Sequence, residues 1–153
     1  MLKFLETMVT FTEVPDEISL CINITNCPCH CKNCSEPWLA DNIGAELDWI
    51  RLNFLIKKNP HITCICFMGG DSDYQSVYDL TKEIKRFYPN LKVAIYSGRQ
   101  EMNYLIEDIM DYYKVGPWIE ELGGLNKKTS NQKLYKKENN EWVDITYRLW
   151  EKE

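Results

Sequence analysis

Four short stretches of the chain alternate apolar and polar residues or run apolar without interruption, and helical spacings separate them. Ile18, Leu20, Ile22 and Ile24 alternate with Ser19, Cys21, Asn23 and Thr25, the period of a strand with one buried face. Ile62 to Met68 is a continuous apolar run rich in β formers, stopped by Gly69-Gly70-Asp71, which predicts a buried strand. Leu91, Val93 and Ile95 alternate up to Ser97-Gly98-Arg99, and a fourth strand around Tyr113 to Val115 stops at Gly116-Pro117-Trp118. Between them, apolar residues recur at helical spacing. Leu47, Ile50 and Phe54 predict a helix capped by Asp41-Asn42 and ended by Asn59-Pro60; Val77, Leu80, Ile84 and Phe87 predict a second, ending at Pro89-Asn90; Met102, Leu105, Ile106 and Ile109 predict a third. Val9 and Phe11 suggest an edge strand in the opening segment, and Pro15-Asp16 a turn. Leu134-Tyr135 and Trp142-Val143 flank Glu138-Asn139-Asn140-Glu141 as a terminal hairpin.

Strand and helix in alternation predict an α/β fold with a mostly parallel sheet, either an open layer or part of a barrel, closed by the C-terminal hairpin. With 153 residues the chain is one domain and too short for a full (βα)8 barrel of about 250 residues. A partial (βα) barrel is expected. The unusual sequences fall at the C-terminal end of each successive strand, the edge where parallel α/β folds bind ligands.

The first of these carries the most chemistry. Asn26-Cys27-Pro28-Cys29-His30-Cys31-Lys32-Asn33-Cys34 contains the spacing Cys-x3-Cys-x2-Cys, with Cys27, Cys31 and Cys34 as metal ligands. A [4Fe–4S] cluster ordinarily takes four cysteines, so three leave one iron for solvent or a chelating small molecule. Cys29 adds a fourth thiol, which opens an alternative: a structural zinc loop. Zinc sites, however, more often space two Cys-x2-Cys pairs well apart. Cys21, Cys64 and Cys66 sit inside apolar runs and read as small core residues. His30 reads as a solvent-facing loop residue, and Trp38 as either core or a shield beside the loop.

Composition narrows the setting. The net charge is −5, and through Ser76 there are five Lys or Arg against ten Asp or Glu, while the remainder holds thirteen of each. A nucleic-acid binder shows a basic face; the half with the cysteines is acidic, and the lysines at 127, 128, 133, 136 and 137 read as a solvated loop and hairpin. The first eight residues lack the apolar stretch of a signal peptide, and no run reaches membrane-spanning length, so a cytoplasmic protein with neither membrane nor nucleic acid as partner is expected. Seven cysteines in a reducing compartment then serve as ligands and buried thiols rather than bridges.

The three-cysteine set resembles that of the radical S-adenosylmethionine (SAM) enzymes. That resemblance implies that the amino and carboxylate groups of SAM's methionine end hold the free iron, and that one electron cleaves the sulfonium to give a 5′-deoxyadenosyl radical. It also gives the other loops ligand roles beside their plainer ones. Gly69 and Gly70 let backbone approach SAM's ammonium group, with Asp71 adding charge; as an ordinary turn they need no ligand, Asp71 or Ser72 capping the helix. Ser97 and Arg99 would hold the ribose or carboxylate, or simply turn the chain. Asn33 and Ser35, on the cysteine loop, would lie beside the bound nucleoside, or shape the loop.

Taken together, Val14-Pro15-Asp16-Glu17-Ile18-Ser19-Leu20, the cysteine triplet, Met68-Gly69-Gly70-Asp71, Tyr96-Ser97-Gly98-Arg99, Gly116-Pro117-Trp118-Ile119-Glu120-Glu121 and Thr129-Ser130-Asn131-Gln132-Lys133 are similar to the activating proteins of the anaerobic (class III) ribonucleoside-triphosphate reductases. The similarity runs from about Thr10 to Tyr135. It implies hydrogen abstraction from a glycine of the reductase, with a flavodoxin-like or other one-electron donor reducing the cluster and no protein acid, base or nucleophile required. The chain departs from the superfamily pattern at Asp71, where Glu is usual, at Asn33, where many members have an aromatic residue, and at Cys29. Activation of a different glycyl-radical enzyme, and a non-enzymatic iron–sulfur or zinc module, are the alternatives.

Overall fold

Most strands form where the alternation places them, but the opening strand ends at Thr10, short of Phe11, and lies inside the sheet rather than at its edge. In the computed structural model, which describes residues 1–34 and 36–152, the strands are β1 (Lys3–Thr10), β2 (Ser19–Ile24), β3 (Ala45–Glu46), β4 (Cys64–Met68), β5 (Lys92–Tyr96), β6 (Tyr112–Val115), β7 (Lys133–Glu138) and β8 (Glu141–Asp144). The helices are α1 (Trp49–Lys58) and α2 (Tyr74–Phe87). One sheet contains all eight strands in the order β3-β1-β2-β4-β5-β6-β7-β8.

The expected partial barrel with a mostly parallel sheet is not what forms. The sheet is open and mixed: β2, β4, β5 and β6 run parallel, but β1 lies antiparallel against β2 and β3, and β7 antiparallel against β6 and β8. Antiparallel pairings therefore outnumber parallel ones, four to three. The cause lies in connection length, since a parallel neighbour needs a crossover of a dozen or more residues. The stretch from Phe11 to Ile18 is a short return, and Asn139 and Asn140, at φ 52° and 63°, close a two-residue hairpin of the kind that matches strand twist.

The third predicted helix is also absent. Residues 102–110 fold as turns, in which Asn103 accepts backbone hydrogen bonds from Ile106 and Glu107 and its side chain accepts one from the Leu105 N–H. Local side-chain bonding of this sort competes with helix propagation, yet Ile106 and Met110 are still buried. In α1 the predicted phase is wrong: Asp48, not Asp41-Asn42, caps it by accepting from the Arg51 N–H, and Leu52 and Ile56 face inward, whereas Ile50 is 81% exposed. Helix α2 buries Val77, Leu80 and Ile84 as its spacing requires, but Phe87 is exposed, and Asp73, not Asp71 or Ser72, is the cap.

Alternation along β2, β4 and β5 splits the core in two. Leu20, Ile22, Ile65, Phe67, Val93 and Ile95 pack with the buried faces of both helices. Cys21, Cys64, Cys66 and Ala94 point the other way, onto Tyr112, Leu134 and Ile145, so the three cysteines in the strands are core residues. Among the described residues no helix is long and apolar enough to cross a membrane.

Candidate metal and cofactor site

The parallel strands β2, β4, β5 and β6 end on one edge, and their following loops enclose a cavity of about 390 Å³, within the range of small-molecule sites. Cys27, Cys29, Cys31 and Cys34 line it, together with Gly69 and Asp71 after β4, Gly98 after β5 and Trp118 after β6.

The cysteine loop is anchored at its root and tied again at Cys29 and Asn33. The Asn26 and Cys27 N–H groups donate to the carbonyls of Asp41 and Leu39, and the Cys34 N–H donates to that of Cys31. Asn26, His30 and Asn33 have φ of 61°, 47° and 57°. Asparagine and histidine tolerate this left-handed conformation better than most residues, and here it folds nine residues back on themselves. All four loop cysteines are free thiols of intermediate exposure. Among the described residues no three His, Cys, Asp or Glu side chains converge as a ready-made cage for one metal ion.

Asp71 is the knot of the site. Its Oδ1 accepts from the Tyr74 and Ser97 hydroxyls, both at 2.7 Å; its Oδ2 accepts from the Gly98 N–H at 2.8 Å and from the Cys29 thiol at 3.6 Å. One carboxylate thus ties together the cysteine loop, the turn after β4 and the turn after β5. Burial, then the negative charges of Asp71 and Cys27, push the Cys29 thiol up to about 12. Its bond to Asp71 ties Cys29 to the turn after β4. It packs so closely on Gly98 that a Cβ there would lie 2.7 Å from its Sγ.

Each sequence-predicted residue can now be placed. Cys27, Cys31, Cys34, Gly69 and Asp71 line the cavity. Gly69, at φ 118°, donates its N–H to the Tyr96 carbonyl; Gly70, also at φ 118°, is buried against Val77 and holds the turn rather than the cavity wall. Ser97 is fully buried behind the wall, bonded to Asp71 and accepting from the Arg99 N–H. The Arg99 side chain is exposed, and Asn33 donates to the Glu120 carboxylate, linking the cysteine loop to the loop after β6. Ser35 lies outside the described residues.

Two wall residues went unpredicted. Gln132 lines the cavity from the Thr129–Lys133 stretch, which packs on Gly116: at φ 107°, a Cβ on that glycine would sit 3.0 Å from the Gln132 Cα. Asn131 donates its side-chain amide to the Pro117 carbonyl, so two separate sequence motifs are one structural unit. Lys114 is the other. It is 8% exposed, and its ammonium donates to the carbonyls of Ser97 at 3.0 Å and Gly116 at 2.8 Å. Burial pushes it down to about 8, while the negative charges of Asp71, Cys31, Cys29 and Cys27 pull it back up. The signal was a lysine inside the apolar strand Tyr112-Tyr113-Lys114-Val115, because lysine is almost never buried without a partner. The indole N–H of Trp118 is buried with no hydrogen-bond partner among the described residues.

The family model described as "4Fe-4S single cluster domain" matches residues 18–140, a span that contains the whole cysteine loop and every loop around the cavity. No curated protein and no solved structure matches the chain.

Proposed function

The chain belongs to the 4Fe-4S single cluster domain family, and on that premise we propose that it is a radical SAM activase whose substrate is a glycine of the anaerobic ribonucleoside-triphosphate reductase. The observation that carries this reading is the bonding of the four loop thiols: all of them line the cavity, but the Cys29 thiol donates to Asp71, which leaves Cys27, Cys31 and Cys34 as the donor set. A three-thiolate donor set fits a [4Fe–4S] cluster with one iron left for a chelating ligand.

A cluster held by Cys27, Cys31 and Cys34 would supply the electron for reductive cleavage of SAM, and with it the means of taking a hydrogen atom from the target glycine. The chain's own residues hold and orient. Cys27, Cys31 and Cys34 are the ligands. Gly69 offers backbone at the wall where a Cβ would press on Ile24, and Asp71 keeps three loops in register. Gly70 and Ser97 act behind the wall, by holding the turn after β4 and by bonding Asp71, and Asn33 acts by tying the cysteine loop to Glu120; Arg99 is the exposed cation beside them. Ile24, Leu39 and Met68 give the cavity an apolar lining. No side chain need donate or accept a proton. A flavodoxin-like or other one-electron donor completes the system.

The test is anaerobic incubation of the iron-loaded protein with SAM, a low-potential reductant and the reductase. The reading predicts 5′-deoxyadenosine and a glycyl EPR doublet on the reductase. Cleavage of SAM without a doublet overturns the choice of partner and favours another glycyl-radical enzyme. Stoichiometric zinc with no SAM cleavage overturns the enzyme.

A further inference from the structure

A cavity walled by three ligand cysteines, Asp71 and Glu36 is rich in negative charge, and among the described residues Lys114 is the one Lys or Arg that lines it. Burying an ammonium is costly unless it is paired or hydrogen-bonded. Here two N–H groups are used on the Ser97 and Gly116 carbonyls, which fix the ammonium on the cavity floor at the ends of β5 and β6. Those two bonds do not discharge it. The negative charge of Asp71 acts on it most, then that of Cys31, Cys29 and Cys27, and all four residues line the same cavity as the lysine.

The reduction that the proposed reaction needs adds one negative charge to this place. The cluster goes from the 2+ to the 1+ state by accepting one electron from an external reductant; no bond forms or breaks and no proton moves. Cluster potentials respond to local charge and hydrogen bonding. We propose that Lys114 is a positioning charge that raises the reduction potential of the cluster held by Cys27, Cys31 and Cys34, making the site reducible by a biological one-electron donor. This inference rests on the cluster reading above and adds a residue to it.

The experiment is an anaerobic, EPR-monitored redox titration of iron-loaded parent, Lys114→Met, Lys114→Gln and Lys114→Arg proteins with dithionite and mediators, alongside iron and sulfide analysis. Met and Gln keep much of the stem and remove the charge; Arg keeps the charge. With equal cluster content, the reduced-to-oxidised ratio at a fixed potential should fall about tenfold in the Met and Gln variants, a shift of about 59 mV for one electron, and stay near the parent value in Arg. Full cluster content with an unmoved potential in the neutral variants overturns the role of Lys114 and leaves the cluster reading intact. Loss of the cluster in all three variants also overturns it, because the lysine then serves packing alone. A parent protein that assembles no [4Fe–4S] cluster removes the reading beneath the inference, and the inference with it.

Discussion

The hydroxyl of Ser97 donates to the Asp71 carboxylate at 2.7 Å, joining the turn that follows β5 to the turn that follows β4. Three further donors complete that carboxylate's shell, and one of them belongs to the cysteine loop. The shape of the cavity thus depends on a single acidic side chain at the boundary between strand and helix.

Replacing it should be costly. Asp71→Ala leaves the Ser97 and Tyr74 hydroxyls and the Gly98 N–H without their acceptor, and roughly 3 kcal/mol of unfolding free energy is expected to go. Asp71→Asn keeps one acceptor oxygen and should lose less. Urea denaturation of the metal-free proteins measures both; a loss under about 0.5 kcal/mol for Asp71→Ala would show that the bonds contribute nothing net.

Cys29 and Gly98 should be energetically coupled. Gly98→Ala places a methyl group 2.7 Å from the Cys29 Sγ and 3.2 Å from its Cβ, so the loop must shift, at an expected cost of about 1–3 kcal/mol. In a Cys29→Ala background most of that cost should vanish, giving a coupling of about 1 kcal/mol in a double-mutant cycle. Additive effects would mean the two residues do not touch.

Iron uptake separates the ligands from the bystander. Cys27→Ala, Cys31→Ala and Cys34→Ala should each fail to retain a cluster after anaerobic assembly, whereas Cys29→Ala should keep about four irons per chain. Loss of iron in Cys29→Ala, with retention in one of the others, would redraw the donor set.

Much of the architecture was legible because β2, β4, β5 and β6 are short, apolar and bounded by Gly, Pro or Asn, and Leu20, Phe67 and Ile95 had one face to bury. The site edge followed from where those strands stop. What misled was any pattern lacking a tertiary constraint. Ile50 and Phe54 kept helical spacing on the outer face of α1, where Ile50 is exposed and the Lys58 ammonium lies over the Phe54 ring. Met102 to Ile109 kept it too, although Asn103 turned the backbone locally. Lys114 was passed over because periodicity counts apolar positions and ignores a charge held by two carbonyls. The terminal hairpin of β7 and β8 was legible from Asn139-Asn140 between two apolar pairs, but the antiparallel pairings of β1 with β2 and of β6 with β7 were hidden, since strand direction leaves no mark on the strands.

Alkaline solution should weaken the metal-free fold. Burial pushes the Cys64 thiol up, the hydrogen bond with Cys21 and then burial push Cys66 up, and burial and the bond to Glu17 push the Tyr112 phenol up. In the unfolded chain thiols titrate near 9.0 and phenols near 10.0. Above about pH 9 the unfolded state therefore binds fewer protons than the folded one, so stability present below that pH is lost as pH rises. Lys114, pushed down to about 8 from 10.5, works in the opposite direction but is a single group. The urea midpoint should fall between about pH 9 and pH 10.5 and fall less in Cys64→Val; a flat profile would show that these groups are not shielded in solution.

The central claim, that three cysteines leave one iron open for SAM, is tested most directly by the EPR spectrum of the reduced, iron-loaded protein with and without SAM. Binding at the open iron predicts a changed spectrum on addition of SAM, with no such change in Cys31→Ala. An intact four-iron spectrum that is identical in the presence of excess SAM would contradict it.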